Sequence, residues 1–313
     1  MINDHYQNVG MKGFFKRYGV INGLKRGLFN GCPIHIVKDY EVRKLLWQKQ
    51  ALGTIRKYVK YADETPEGLS FPAENVPEDP VWVYWNTGFE TAPDIVRACL
   101  RSIEKYAGRP VIRLSEENIG EYLVLPSEIT EKIDRGNISI AAYSDLMRFS
   151  LLEHYGGLWI DATVLLTGPI QEEILSADFF ALQNSLCLID NPVLYPAWFL
   201  RAKPGNEIIR RTRNIAFAYW KRNSHVIEYL LPNLILTEVI HNSGEEAKIP
   251  YMNTDYSERM VRCIADPYDE KAFRWLCSLT NIHKLTYKFD SAIAVEDNLY
   301  THIIGNQKGD AEE

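Results

Sequence analysis

Apolar and polar positions follow three regimes along the chain. From Met11 to Leu28 the apolar residues Phe14, Phe15, Tyr18, Val20, Ile21, Leu24 and Leu28 fall among Lys12, Lys16, Arg17, Lys25 and Arg26. From Lys38 to Tyr61, Val42, Leu45, Leu46, Leu52, Ile55 and Val59 recur on one side. Both patterns predict basic amphipathic helices. Asp63, Glu64, Pro66, Glu67, Gly68, Pro72, Pro77 and Pro80 then break the pattern, which predicts a linker or surface loop. Val81-Trp82-Val83-Tyr84-Trp85 is a near-continuous β-forming run, as expected of a strand buried on both faces. A turn at Asn86-Thr87-Gly88, a helix over Ala92 to Tyr106 and a strand at Val111-Ile112-Arg113-Leu114 follow. This β-α-β start predicts one half of a doubly wound sheet.

The most informative stretch is 141–166. A helix is predicted from about Ile140 to His154, with Leu146, Phe149 and Leu152 as its buried stripe. Gly156-Gly157 ends it, because glycine accepts the left-handed conformation of a helix stop. Leu158-Trp159-Ile160 reads as a short buried strand that Val164-Leu165-Leu166 resumes. Farther on, Phe179 to Leu182 predicts a strand, Asn184 to Asp190 leads into a turn at Asn191-Pro192, and Tyr195 to Phe199 and then Lys203 to Asn206 form a loop before a helix over Glu207 to Trp220. His225 to Asn242 predicts a helix interrupted at Pro232, and His283 to Tyr287 a late strand. Residues 115–138 read as a polar, partly helical connection.

Composition narrows the class. The chain has 313 residues, 46% hydrophobic and 24% charged, which is ordinary for a globular protein with a sizeable core. No stretch reaches about 18 uninterrupted apolar residues, and the start lacks the charged-then-apolar pattern of a secretory signal, so a cytoplasmic protein is expected. Five scattered cysteines without a Cys-x-x-Cys spacing argue against a thiolate zinc site. The net charge of −6 hides an asymmetry, since residues 1–62 hold 12 Lys and Arg against 3 Asp and Glu. Such an arm suits an anionic membrane surface. Equally, its apolar faces can pack on the rest of the chain with the charges merely solvated. No nucleic-acid-binding motif is present.

Three side chains around the central stretch carry candidate chemistry. Asp145 and Arg148 are three apart on one helix and can touch each other or one ligand. Asp161 ends an apolar strand, where a carboxylate is costly unless it is paired, hydrogen-bonded or facing a polar cleft. A lone Asp there would be read as pinning a turn. The helical Asp/Arg pair, the double glycine and the strand-end Asp within one helix–strand unit favour a functional site. Tyr195, Trp198 and Trp220 can stack on sugar rings or simply fill the core.

Ser144-Asp145-x-x-Arg148 followed by Tyr155-Gly156-Gly157-Leu158-Trp159-Ile160-Asp161-Ala162-Thr163 resembles the donor-site core of the capsular polysaccharide synthesis glycosyltransferases. These are similar to the family 32 sugar transferases and, more remotely, to the glucosylating toxins. Trp82 to Ile103 also resembles the opening of the capsular family. The resemblance implies a GT-A-type, Rossmann-like mixed α/β sheet flanked by helices, with residues 1–78 as a basic helical extension and linker and 79–313 as the transferase domain. It implies a nucleotide-sugar donor bound by Trp85, Asn86, Asp145, Arg148 and Asp161, with Asp145, Arg148 and Asp161 as the catalytic set. In that superfamily the strand ends in Asp-x-Asp and helps hold a divalent metal; here the second position is Thr163. His302-x-x-Gly305-x-x-Lys308 resembles a motif of related retaining transferases that places the imidazole on the metal and the Gly and Lys on the diphosphate. The implied metal ligands of Mn²⁺ or Mg²⁺ are thus Asp161, Thr163 and His302.

The expected activity is transfer of a sugar, from a UDP-linked donor and with retention, to a lipid-linked oligosaccharide of a surface or capsular polysaccharide. The basic arm would rest on the inner face of the membrane. A non-catalytic nucleotide-sugar or glycan-binding protein and a toxin-like protein glycosyltransferase stand as alternatives.

Overall fold

In a computed structural model, residues 10–31, 40–184, 191–289, 291–294 and 297–309 are described. The expectations that fall on Cys32, Cys187 and the turn stretch 185–190 lie outside them. The chain begins with α1 (Gly10–Gly31) and α2 (Tyr40–Ile55), the latter continued by a 3-10 turn over Arg56–Tyr61. β1 (Val81–Tyr84), α3 (Asp94–Tyr106) and β2 (Val111–Leu114) form the expected β-α-β unit. Two short helices, α4 (Ile119–Tyr122) and α5 (Ser127–Asp134), connect it to α6 (Ile140–His154), whose bounds match those read from the sequence. Ser139 caps α6, its side chain accepting a hydrogen bond from the Ala142 N–H. β3 (Gly157–Ile160), β4 (Val164–Leu166), α7 (Glu172–Ser176), β5 (Phe179–Ala181) and β6 (Phe199–Ala202) follow. After them come α8 (Glu207–Arg222), α9 (Leu231–His241), α10 (Thr254–Ser257), α11 (Arg259–Arg262) and α12 (Glu270–Leu279). β7 (Ile282–Lys284) and α13 (Leu299–Gly309) complete the chain.

The main sheet has the order β2-β1-β3-β6-β5. β1 pairs in parallel with β2 and β3, while β6 runs antiparallel to both β3 and β5. Alternation along each strand sends side chains to opposite faces. Val81, Val83, Leu158 and Ile160 join one core with α3 and α13, whereas Trp82, Tyr84 and Trp159 join the other with α6, α8 and α9. A sheet covered on both faces explains why its strands read as continuous apolar runs.

Three sequence expectations change. Val164-Leu165-Leu166 does not resume β3; it turns away at Asp161-Ala162-Thr163 and pairs with β7 as a separate antiparallel ribbon. Phe199–Ala202, where the sequence placed Phe199 in a loop and marked no strand, is a strand of the main sheet, because β3 and β5 sandwich it and supply the hydrogen bonds its short sequence does not advertise. The helix expected over His225 to Asn242 starts only at Leu231, with Pro232 at its first turn, where a missing N–H costs nothing.

The basic arm packs part of its apolar surface on the rest of the chain and leaves part exposed. Tyr18, Trp47, Ala51, Ile55 and Ala62 are buried, and the last three belong to the same core as α6 and α8. Arg26 forms a fully buried ion pair with Glu228. Met11, Val20, Ile21, Leu24 and Leu28 remain exposed on α1. Among the described residues no helix is long and apolar enough to cross a membrane.

Candidate active site

The site forms where β1 and β3 end side by side. The chain leaves β3 at Asp161 and leaves β1 at Trp85 and Asn86, so both strand ends open on one cleft of about 950 Å³. This is the crevice at strand carboxyl ends where open α/β sheets bind ligands. The first two turns of α6 form a second wall through Ser139, Ala142, Ser144 and Asp145. The N-terminal end of the α6 dipole adds a positive field on this side.

Arg148 joins the two acids. Its guanidinium is only 7% exposed and reaches Asp145 Oδ1 at 3.2 Å and Asp161 Oδ1 at 3.3 Å. It also donates to the Ala197 carbonyl and to Ser144 Oγ, and lies 5.0 Å above the Trp159 ring. The fork geometry of the guanidinium allows this simultaneous contact. Arg148 thus bridges the two carboxylates.

The two carboxylates are electrostatically unlike. Burial pushes Asp145 up to about 7, with Arg148 lowering it and the neighbouring Asp161 raising it. Burial works on Asp161 in the same sense, but Lys284, Arg148 and hydrogen bonds from Lys284 and Trp159 outweigh it and hold that carboxyl below its ordinary value. The Trp159 indole N–H donates to Asp161 Oδ1 at 3.0 Å, and Lys284 Nζ donates to Oδ2 at 2.7 Å. Asp161 stays charged at neutral pH, while Asp145 is poised to titrate.

Trp85, Asn86, Asp145, Arg148, Asp161 and Thr163, all singled out in the sequence, line this one cleft. Trp85 is edge-on to Tyr287, centroids 5.0 Å apart, so the two rings form an aromatic corner at the mouth. Trp198 lines the cleft as well, and Trp220 contributes an edge, whereas Tyr195 is fully buried and belongs to the core.

The C-terminal motif is a correction. His302 and Gly305 lie on α13, a regular helix packed on α3, and neither lines the cleft. The His302 ring stacks on Tyr268 at 3.5 Å. The spacing that looked like a phosphate loop is instead helical, so its glycine offers no close backbone approach; Lys308 falls on the same helix.

The residues present do not fit a divalent metal. Of the three ligands expected, His302 is elsewhere, Thr163 supplies a neutral hydroxyl, and Asp161 is already ion-paired. Lys284 Nζ also donates to Thr163 Oγ1 at 2.9 Å, so one ammonium bridges the two remaining ligands. Among the described residues no group of three or more His, Cys, Asp or Glu side chains is placed to hold a metal. Mn²⁺ and Mg²⁺ seek several oxygen ligands, which this set does not provide.

Sequence reasoning missed Lys284, Lys288, Tyr229 and Arg17, all of which line the cleft. Lys284 sat inside a strand recognised as such, but its reach to Asp161 depends on the pairing of Val164 with Lys284 across β4 and β7. Arg17 arrives from α1, outside the region where the site was sought.

The fold is α/β, with a cleft at the carboxyl ends of β1 and β3. The chain matches the family described as "Capsular polysaccharide synthesis protein" over residues 36–303, and it belongs to that family. Among solved structures, the "PaToxG Glycosyltransferase" is similar at 11% identity with a TM-score of 0.40, covering 84% of this chain and 96% of that one. No curated protein matches the chain.

Proposed function

We propose that this chain is a GT-A-type glycosyltransferase that transfers a hexose from a nucleotide-sugar donor, UDP-linked, to a lipid-linked repeat unit of a surface or capsular polysaccharide. Membership of the capsular polysaccharide synthesis family supports the pathway. The observation that carries the reaction class is the convergence of Trp85, Asn86, Asp145, Arg148 and Asp161 on one strand-end cleft. The aromatic corner of Trp85 and Tyr287 suits a base, and Asn86 beside it suits a ribose hydroxyl. Ionised Asp145 accepts hydrogen bonds from donor-sugar hydroxyls. Arg148 holds Asp145 and Asp161 at fixed separation, so the sugar meets a rigid acceptor set. Arg17, Lys284 and Lys288, which also line the cleft, would face the diphosphate. The acceptor hydroxyl approaches from the leaving-group side, as retention of anomeric configuration requires.

The exposed apolar row that follows the kink of α1 at Gly19, with Lys25 exposed on the same segment, would rest on the anionic inner face of the membrane, bringing the cleft to a lipid-linked acceptor.

The test is donor turnover. Purified protein is incubated with UDP- and GDP-sugars, and free nucleoside diphosphate is measured with and without a lipid-linked acceptor extract. Nucleotide release that falls by about 10²-fold or more in Asp145→Asn supports the reading, since that loss is typical of removing a group aimed at the reacting sugar. Donor binding without any turnover would assign the chain to the non-catalytic binding class instead.

A further inference from the structure

Lys284 stands where the sequence pattern leads one to expect a metal. The β4–β7 ribbon puts Lys284 opposite Val164, one residue beyond Thr163. The Leu285 N–H donates to the Thr163 carbonyl at 2.8 Å and locks that register. The ammonium is therefore delivered to the exit of β3 by backbone pairing, independently of any ligand.

Its surroundings are those of a ligand-binding cation. Nζ bonds Asp161 Oδ2 at 2.7 Å and Thr163 Oγ1 at 2.9 Å. It sits 5.7 Å from the Trp198 ring centroid. An ammonium has three N–H donors, so these two bonds leave one for a ligand. The side chain is 22% exposed and lines the cleft, which keeps that donor open to it. The described lining of the cleft carries Arg17, Arg148, Lys284 and Lys288 against Asp145 and Asp161, an excess of positive charge that suits a diphosphate.

Resting on the reading that this cleft takes a nucleoside-diphosphate sugar, we infer that Lys284 is the fixed cation that meets the diphosphate, in the place a divalent metal would otherwise hold, so that donor binding requires no metal. Asp161 and Thr163 then serve to hold Lys284 in position. The chain carries Thr163 where an Asp-x-Asp motif has its second acid because a tethered lysine brings one positive charge. A single carboxylate and a hydroxyl complement that charge, where two carboxylates would overcompensate it.

The experiment is calorimetric titration of the full chain with UDP and with GDP, each in EDTA and in Mn²⁺. One nucleotide is expected to bind with a Kd that agrees between EDTA and Mn²⁺ within about twofold. Lys284→Met is expected to weaken binding in EDTA by about tenfold or more, the loss of one charge-assisted hydrogen bond. Lys284→Arg, which keeps the charge, is expected to recover part of the affinity and serves as the reading if Lys284→Met fails to fold, as judged by circular dichroism. Binding that EDTA abolishes and Mn²⁺ restores overturns the role of Lys284 while leaving the donor site standing. Full affinity in folded Lys284→Met overturns it equally. Failure of wild-type protein to bind either nucleotide in both buffers overturns the inference and the donor-site reading together.

Discussion

At the scale of single residues, two aspartates of the same site are held in different protonation regimes by their neighbours. Asp161 has two cations within 3.3 Å, while Asp145 has Arg148 and faces Asp161 across it. Burial raises Asp145 from 3.8 to about 7. A carboxyl raised in this way binds its proton more tightly in the folded state, so its contribution to stability is complete below pH 3.8 and is lost as pH rises through about 7. Its chemistry runs the opposite way, because the ionised form is the stronger acceptor for sugar hydroxyls. We expect the affinity for an intact nucleotide sugar to rise as pH increases through about 7, and the step to vanish in Asp145→Asn. A pH series of donor titrations measures this, and a curve that is flat for the wild type would remove Asp145 from donor contact.

At the scale of elements, the site depends on how closely β3 approaches β1. Gly157 adopts φ +94°, and a Cβ built there would lie 2.0 Å from the Pro80 carbonyl oxygen. That oxygen accepts the Leu158 N–H at 2.8 Å, the bond that sets β3 beside β1. Both the left-handed backbone and the contact exclude any side chain. Gly157→Ala is therefore expected to destabilise the fold by about 2 kcal/mol or more, through strain at a special backbone position and steric overlap. Denaturant unfolding reads this directly; a change under about 0.5 kcal/mol, the usual size for an unconstrained surface substitution, would contradict it. The β4–β7 ribbon is the second decisive element, since it alone brings Lys284 to Asp161.

At the scale of the whole molecule, the basic arm belongs both to the core and to the surface. α2 packs on α9, and the turn at Arg56–Tyr61 packs on α8, so the arm is anchored close to the helices that wall the cleft. α1 then places Arg17 on the cleft and shows Val20, Leu24 and Leu28 outward, one helical turn apart. Burying such a row in a lipid interface, with Lys25 exposed on the same segment after the kink at Gly19, combines apolar and electrostatic gains, a lysine adding about 1 kcal/mol near an anionic surface. The full chain is expected to co-sediment with phosphatidylserine-containing vesicles, less so with pure phosphatidylcholine, and to be partly released at high salt. Val20→Glu with Leu24→Glu should lower the bound fraction without altering nucleotide affinity. Equal binding by this variant would mean that the row does not face lipid.

What the sequence determined by itself is local. The period of apolar residues marked β1, α3, β2 and α6, and the double glycine marked the turn into β3, because these depend on backbone propensity and on which face is buried. Spacing along the helix put Asp145 beside Arg148, and the two are ion-paired; the strand end made Asp161 a candidate, and it lines the same cleft. Tertiary structure alone decided the rest. β6 is a strand because its neighbours complete its hydrogen bonds, and the His302 motif is a helix because α13 docks on α3. The charge that faces Asp161 and Thr163 comes from Lys284, 123 residues away from Asp161 in the chain. Register between distant strands is set by the summed packing of both, and no short motif encodes it.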